Sequence, residues 1–186
     1  PETGVPIEVA PGVMWFRLPL PMKLDHVNIY ALDEGDSWTV IDTGFASKKC
    51  KAIWQAMMDG PLGGKPISRV VVTHHHPDHI GLAGWLQSDF GAELVTTRTA
   101  WLTGRMLTLD IQEVPNAESL AFYKLAGMDA ELYEKRSKER PFNFGDIVAP
   151  MPLGYTRIKQ DDQITMGGRT WDIHMGNGHA PEHATF

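Results

Sequence analysis

Seven consecutive positions constrain this chain more than any others: Thr73-His74-His75-His76-Pro77-Asp78-His79, directly after the β-branched run Val70-Val71-Val72. Three valines in a row read as a buried strand, and a strand of that kind delivers the next residues to the edge of a sheet. Those residues include His74, His76, Asp78 and His79, four of metal-ligating type within six positions. His74 and His76 lie two apart, so their side chains can point the same way and grip one ion. Asp78 and His79 come after a proline that fixes a turn, and they can reach a second ion nearby. Imidazole with carboxylate suits zinc, and also iron or manganese.

The rest of the chain reads as alternating β and α segments. Strands are expected at Val13–Leu18, Val27–Leu32, Trp38–Asp42, Val70–Thr73, Leu94–Thr97, Thr156–Lys159 and Arg169–His174, with Pro1–Pro11 an irregular leader. Ser47 is a plausible cap for a helix that presents Cys50, Ile53, Trp54 and Met57 on one face and stops at Gly60. A second helix is expected from about Gly81 to Phe90. From Arg98 to Arg140 the pattern turns helical, with Asn116 or Ser119 capping one helix and Asp129 another. This is an α/β architecture, one domain over residues 1–186, with a helical insertion at about 98–150. The six tryptophans read as core, and His174 as a strand residue packed in the sheet.

Bulk properties narrow the classes. With 186 residues the chain is long enough for a real core, and a net charge of −6 argues against a general nucleic-acid or membrane-surface binder. The single cysteine, Cys50, rules out an internal disulfide framework and reads as a small buried residue. No apolar stretch approaches the ~20 residues of a membrane span. The first residue is Pro1, so the absence of a signal peptide carries little weight. A cytoplasmic location is the default expectation.

The run His74-x-His76-x-Asp78-His79 resembles the first motif of the metallo-β-lactamase superfamily, the glyoxalase II-like metal-dependent hydrolases. Ile41-Asp42-Thr43-Gly44 precedes it in the order that family shows, and Gly178-His179-Ala180-Pro181-Glu182-His183 resembles the second motif. That motif is usually Gly-His-Ser/Thr-x-Gly-His. Here Ala180 stands for the hydroxyl residue and Glu182 for the glycine. The resemblance implies an αββα sandwich, with His74, His76 and His179 on a first metal and Asp78 and His79 on a second. It implies two zinc ions in the complete protein, Asp42 and His183 in supporting roles, and Asp78 orienting a metal-activated hydroxide. His75 occupies a variable position of the motif. An aspartate bridging both metals and a last histidine normally come next, and neither has a counterpart before Phe186. The expectation is a domain whose C-terminal part is missing from this chain. The remainder supplied by another chain, or a mononuclear variant, are the other readings.

Substrate is less constrained. The apolar residues Met106, Leu107, Leu109, Phe122, Tyr123, Met128, Phe142 and Phe144 of the helical segment, with the loop Leu20–His26, suit a pocket for an apolar acyl group. The expected partner is therefore a small molecule with an ester-type bond, a thioester or lactone by preference. No nucleic-acid or membrane partner is favoured, and homo-oligomerisation stays open. Three alternatives stand beside this. Lys135, Arg136, Lys138 and Arg140 would serve a phosphodiesterase or nuclease. The resemblance also admits a mononuclear iron oxygenase acting on persulfides, or a scaffold without catalysis.

Overall fold

The computed structural model describes residues 1–186. The strands β1 (Ile7–Ala10), β2 (Val13–Pro19), β3 (His26–Asp33) and β4 (Trp38–Ile41) form an antiparallel meander. The chain then crosses through helix α1 (Lys48–Asp59) to β5 (Ile67–Val72), which lies parallel to β4. A short helix α2 (Pro77–Ile80) and helix α3 (Ala83–Phe90) lead to the parallel strand β6 (Glu93–Thr96). Three helices come next: α4 (Arg98–Leu109), α5 (Ala117–Leu125) and α6 (Ala130–Lys138). The two-residue strand β7 (Thr156–Arg157) closes a seven-stranded sheet in the order β1 to β7. Two hairpins complete the chain, β8 (Gln163–Met166) with β9 (Arg169–Asp172), and β10 (His174–Gly176) with β11 (His183–Thr185).

Strand β5 shows why the sheet is buried on both faces. Val70 and Val72 pack into the core on the helix side with Trp54, Met57 and Leu86, while Val71 faces Ile158, Met166, Ile173 and Ala184 of the hairpin side. All three valines are fully buried, each contributing on the order of 1.5–3 kcal/mol. The result is a mixed α/β sandwich with helices on one face and hairpins on the other. No helix is long and apolar enough to cross a membrane.

Helix α1 begins where Ser47 accepts a hydrogen bond from Cys50 N, and its inner face buries Cys50, Trp54, Met57 and Met58. Asn116 caps α5 and Asp129 caps α6, so the cap residues of the helical segment do what their types favour. Neither α5 nor α6 buries a single residue.

Several expectations need correction. Residues 7–10 are a strand rather than part of an irregular leader, paired to β2 with every side chain exposed. Residues 77–80 are a helical turn because Pro77 sits at its first position, where the missing N–H costs nothing. Strand β8 is an addition to the expected set. It meets β9 through Gly167-Gly168, both at positive φ as a two-residue hairpin turn demands. His174 is exposed, because β10 pairs only with β11 outside the main sheet. Trp38 and Trp54 are core, whereas Trp15, Trp85, Trp101 and Trp171 are only partly buried.

Candidate metal centre

Strands β4, β5 and β6 run parallel, so their carboxyl ends open on one edge, and the first two supply the heart of the site. Asp42 leaves β4 at φ 63°, in the left-handed region that aspartate tolerates better than most residues. That turn aims its carboxylate at the loop after β5. Asp42 accepts hydrogen bonds from Thr73 N at 2.9 Å, from the Thr73 hydroxyl at 2.9 Å, and from His79 Nδ1 at 2.7 Å. Thr43 adds further stitches: its N–H and its hydroxyl both donate to the His79 carbonyl, and that hydroxyl accepts from Leu82 N. Gly44 N donates to the Asp78 carbonyl.

The two segments pack backbone to backbone. A Cβ on Gly81 would lie 2.3 Å from the Gly44 carbonyl oxygen, so that position admits only glycine.

These bonds decide which imidazole nitrogens are free. The Thr73 hydroxyl has one proton, which goes to Asp42, so its oxygen accepts from Nδ1–H of His74 at 2.9 Å. His74 Nε2 is left with its lone pair, and it lies 3.2 Å from His179 Nε2. That same His179 nitrogen lies 3.0 Å from His76 Nδ1. The ligand atoms of His74, His76 and His179 all fall within 4.8 Å of one another. One shared proton satisfies one such pair, whereas a single cation takes all three lone pairs. Tetrahedral zinc with ~2.1 Å bonds to nitrogen separates its ligands by about 3.3 Å, close to the contacts seen. The donor set fits a metal ion.

Asp78 and His79 sit beside this triad on α2. His79 Nδ1 is committed to Asp42, and its Nε2 faces Asp78 Oδ2 at 3.3 Å. A histidine held through one nitrogen by a carboxylate, with the other turned towards the site, is the arrangement that orients a ligand. The five residues expected as ligands are thus gathered in one place, although only three of them converge as a closed group.

Protonation follows the surroundings. Burial, and then the neighbouring His79, His183, His76 and His179, push His74 down to about 2, so it stays neutral as a ligand must. Burial works against the charge on His79, yet its bonds to Asp42 and Asp78 raise it to about 10. Burial likewise works to raise the Asp78 carboxyl, and His79 overcomes it, holding the group below the usual carboxylate range.

The remaining residues separate cleanly. His183 stacks its ring 4.2 Å from that of His74 and helps to wall it in. His75 is half-buried, with its Nδ1 lacking any partner. His26 is the first residue of β3 and pairs with the exposed Asp25 at 2.6 Å. Sequence reasoning assigned no role to Thr73 or Thr43. The hydroxyl types flanking the motif were the signal available.

Much of the apolar set of the helical segment is open to solvent. Met106, Leu109, Phe122 and Phe142 are 60–69% exposed. A cavity of about 380 Å³ does open among Gln112, Asn116, Tyr123, Arg136, Arg140 and Phe142, but none of the metal-site residues lines it.

Comparison with known proteins points the same way. The model of the metallo-beta-lactamase superfamily matches residues 22–186. The chain belongs to the metallo-beta-lactamase superfamily. A beta-lactamase domain protein from Burkholderia ambifaria is similar to it at 34% identity and a TM-score of 0.82, over 99% of this chain and 53% of that one. A metallo-beta-lactamase family protein from Thermus thermophilus shares the fold at 24% identity and a TM-score of 0.71, over 95% of this chain and 55% of that one. The probable metallo-hydrolase YqjP of Bacillus subtilis (strain 168) is 37% identical over 71 residues, 38% of this chain and 22% of that protein. This superfamily member therefore spans about half the length of those solved structures, and its match to the curated relative covers less than a quarter of that protein. Divalent-metal binding is what the superfamily fold implies, and the three-histidine group is its counterpart here.

Proposed function

We propose that this chain carries the metal-gripping part of a metal-dependent hydrolase that cleaves an ester-type bond, a thioester or lactone by preference, in a small molecule. The observation that carries the reading is the convergence of His74 Nε2, His76 Nδ1 and His179 Nε2, with Asp78 and His79 alongside. His74, His76 and His179 would hold one divalent ion, for which zinc is the first candidate, and Asp78 with His79 would contribute to a second. Such ions, when bound, supply Lewis acidity and bring a water's pKa towards ~7. Thr73 keeps the proton on His74 Nδ1, so that His74 Nε2 stays available, and Asp42 fixes His79 through Nδ1, so that its Nε2 would become available once a bound cation displaced the proton it shares with Asp78. Asp78, ionised beside His79 and about one-fifth exposed, accepts a hydrogen bond from the attacking water and takes its proton at a carboxylate oxygen.

The ester preference is supported by the exposed Met22 and Leu24 on the loop before β3, apolar groups that an acyl chain can lie against. It is also supported by the state of the basic stretch. Lys135 and Arg136 pair with Glu139, Lys138 with Glu134, and Arg140 with Glu113 and Asp146, which leaves little free charge for a phosphodiester.

A second reading has one observation in its favour. Only one group of three ligands closes on itself, which suits a mononuclear iron oxygenase. Elemental analysis of the purified protein separates the two: zinc with oxygen-independent ester cleavage supports the hydrolase, and iron with oxygen uptake supports the oxygenase. Replacing Asp78→Asn should abolish hydrolysis while the far-ultraviolet spectrum is unchanged. Turnover at the wild-type rate in that variant would remove Asp78 from the mechanism.

A further inference from the structure

The second histidine loop departs from the superfamily pattern at Glu182, where glycine is usual, and the structure gives that departure a use. Glu182 has φ 49°, in the left-handed region where a side chain is disfavoured and glycine is the easy choice. A turn of this kind alone gives no reason for a glutamate. Its backbone N–H donates to Asn177 Oδ1 at 3.0 Å, closing the loop on itself. Its carboxylate reaches out of the loop, where Oε2 accepts a hydrogen bond from Thr99 N at 3.0 Å, in the first turn of α4. A carboxylate at that place satisfies an orphan amide and meets the positive end of a twelve-residue helix. Arg98 and Arg157 lie close enough to favour its charge as well.

Helix α4 is a firm anchor. Thr97 caps it through Ala100 N, Ala100 and Gly104 are buried in its inner face, and Gly104 fits so closely to Ile80 that a Cβ there would come within 2.8 Å of that side chain. Ile80 is the last residue of α2, the helix that bears Asp78 and His79. Contacts therefore run without a break from the first histidine loop through α4 to Glu182. His179 has no such support of its own: it is exposed, and the hydrogen-bonding and ring partners of its imidazole are other histidines of the site.

We propose that Glu182 is a positioning residue, holding His179 at the metal by tying its loop to the amino end of α4. This rests on reading His74, His76 and His179 as the metal grip. The experiment measures zinc affinity by chelator competition, and the visible spectrum of the cobalt-substituted form, in the intact protein. Glu182→Ala and Glu182→Gly should each weaken zinc about tenfold, the usual scale for a lost outer partner of a ligand, and shift the cobalt bands. Glu182→Gln, which keeps an acceptor oxygen, should stay within about threefold of wild type. Thr99→Pro removes the same hydrogen bond from the helix side, at a first-turn position that tolerates proline, and should reproduce the tenfold loss. Wild-type affinity and an unchanged cobalt spectrum in Glu182→Gly would overturn the proposal, because residue 182 would then only be making a turn. Undiminished zinc binding in His179→Ala would overturn the metal grip itself, and the tie with it.

Discussion

The two histidine loops present their side chains to one point but are held there by very different means. The first, Thr73–His79, leaves a strand buried on both faces and is clamped by Asp42, Thr43 and Gly44 of a neighbouring strand end. His74 in it is fully buried. The second loop, between the three-residue strands β10 and β11, is exposed at Asn177, Gly178 and His179. It is fixed to the main sheet through Ala184 N and the Thr73 carbonyl, and to α4 through Glu182. A stiff half paired with a lightly braced half is a grip that closes from one side.

That contrast breaks most directly at Asp42. Asp42→Ala strands the half-buried Thr73 amide and removes the partner of His79, and should cost about 3 kcal/mol of unfolding free energy. The matching change in the second loop, Asn177→Ala, should cost about 1 kcal/mol by urea denaturation of the metal-free protein. Equal costs would mean that the two loops are braced alike.

The histidines themselves sharpen the comparison. His74→Ala should lower the stability of the metal-free protein by about 2 kcal/mol through its lost packing and hydrogen bond. The exposed His179→Ala should stay within about 0.5 kcal/mol. Both should lose tight zinc binding, so that stability and affinity come apart only in the second loop.

A graded effect comes from pH. His74 has its pKa lowered to about 2 in the fold, from an ordinary value of 6.5. The unfolded chain therefore binds the extra proton, and stability present above pH 6.5 is lost as pH falls below it. This linkage amounts to about 1 kcal/mol between pH 6.5 and 5.5. His79 acts in the opposite sense, raised to about 10, so its contribution is complete below pH 6.5 and is lost as pH rises through 10. Metal-free protein should thus melt highest near pH 6.5, and His74→Ala should flatten the acid side of the curve. Smallest of all, Leu125→Ser on α5 should change stability by less than about 0.5 kcal/mol, since that side chain is 89% exposed.

How much of this was legible in the sequence depended on whether the signal was local. The valine run before His74 announced a buried strand, Asp129 announced its helix, and Asn116 or Ser119 announced the other, because each property belongs to the residue and its immediate neighbours. Residues 7–10 alternate only over Ile7-Glu8-Val9, too short a run between prolines to mark a strand, and that edge strand buries nothing. Gly167-Gly168 was a readable hairpin signal, and the strand before it, Gln163–Met166, was missed for lack of an apolar run. Four ligand candidates, His74, His76, Asp78 and His79, were readable from spacing, and His179 came only with the resemblance of the second loop to the superfamily motif. The proton arrangement that frees their nitrogens was not, because it depends on Asp42 meeting Thr73 and His79 across 31 and 37 positions of chain.

The spacing of the ligands has one more consequence, for the chain before it folds. His74, His76, Asp78 and His79 are neighbours in sequence, while His179 joins them only when β10 and β11 have docked. An unfolded chain therefore already offers a metal a partial, local site. Metal taken up there stabilises the wrong state as well as the right one, and each such contact subtracts from the stabilisation that tight native binding would otherwise deliver. Zinc in excess should thus raise the melting temperature of this protein by less than its native affinity implies, and the shortfall is set by the six-position run that first marks the chain as a metal binder.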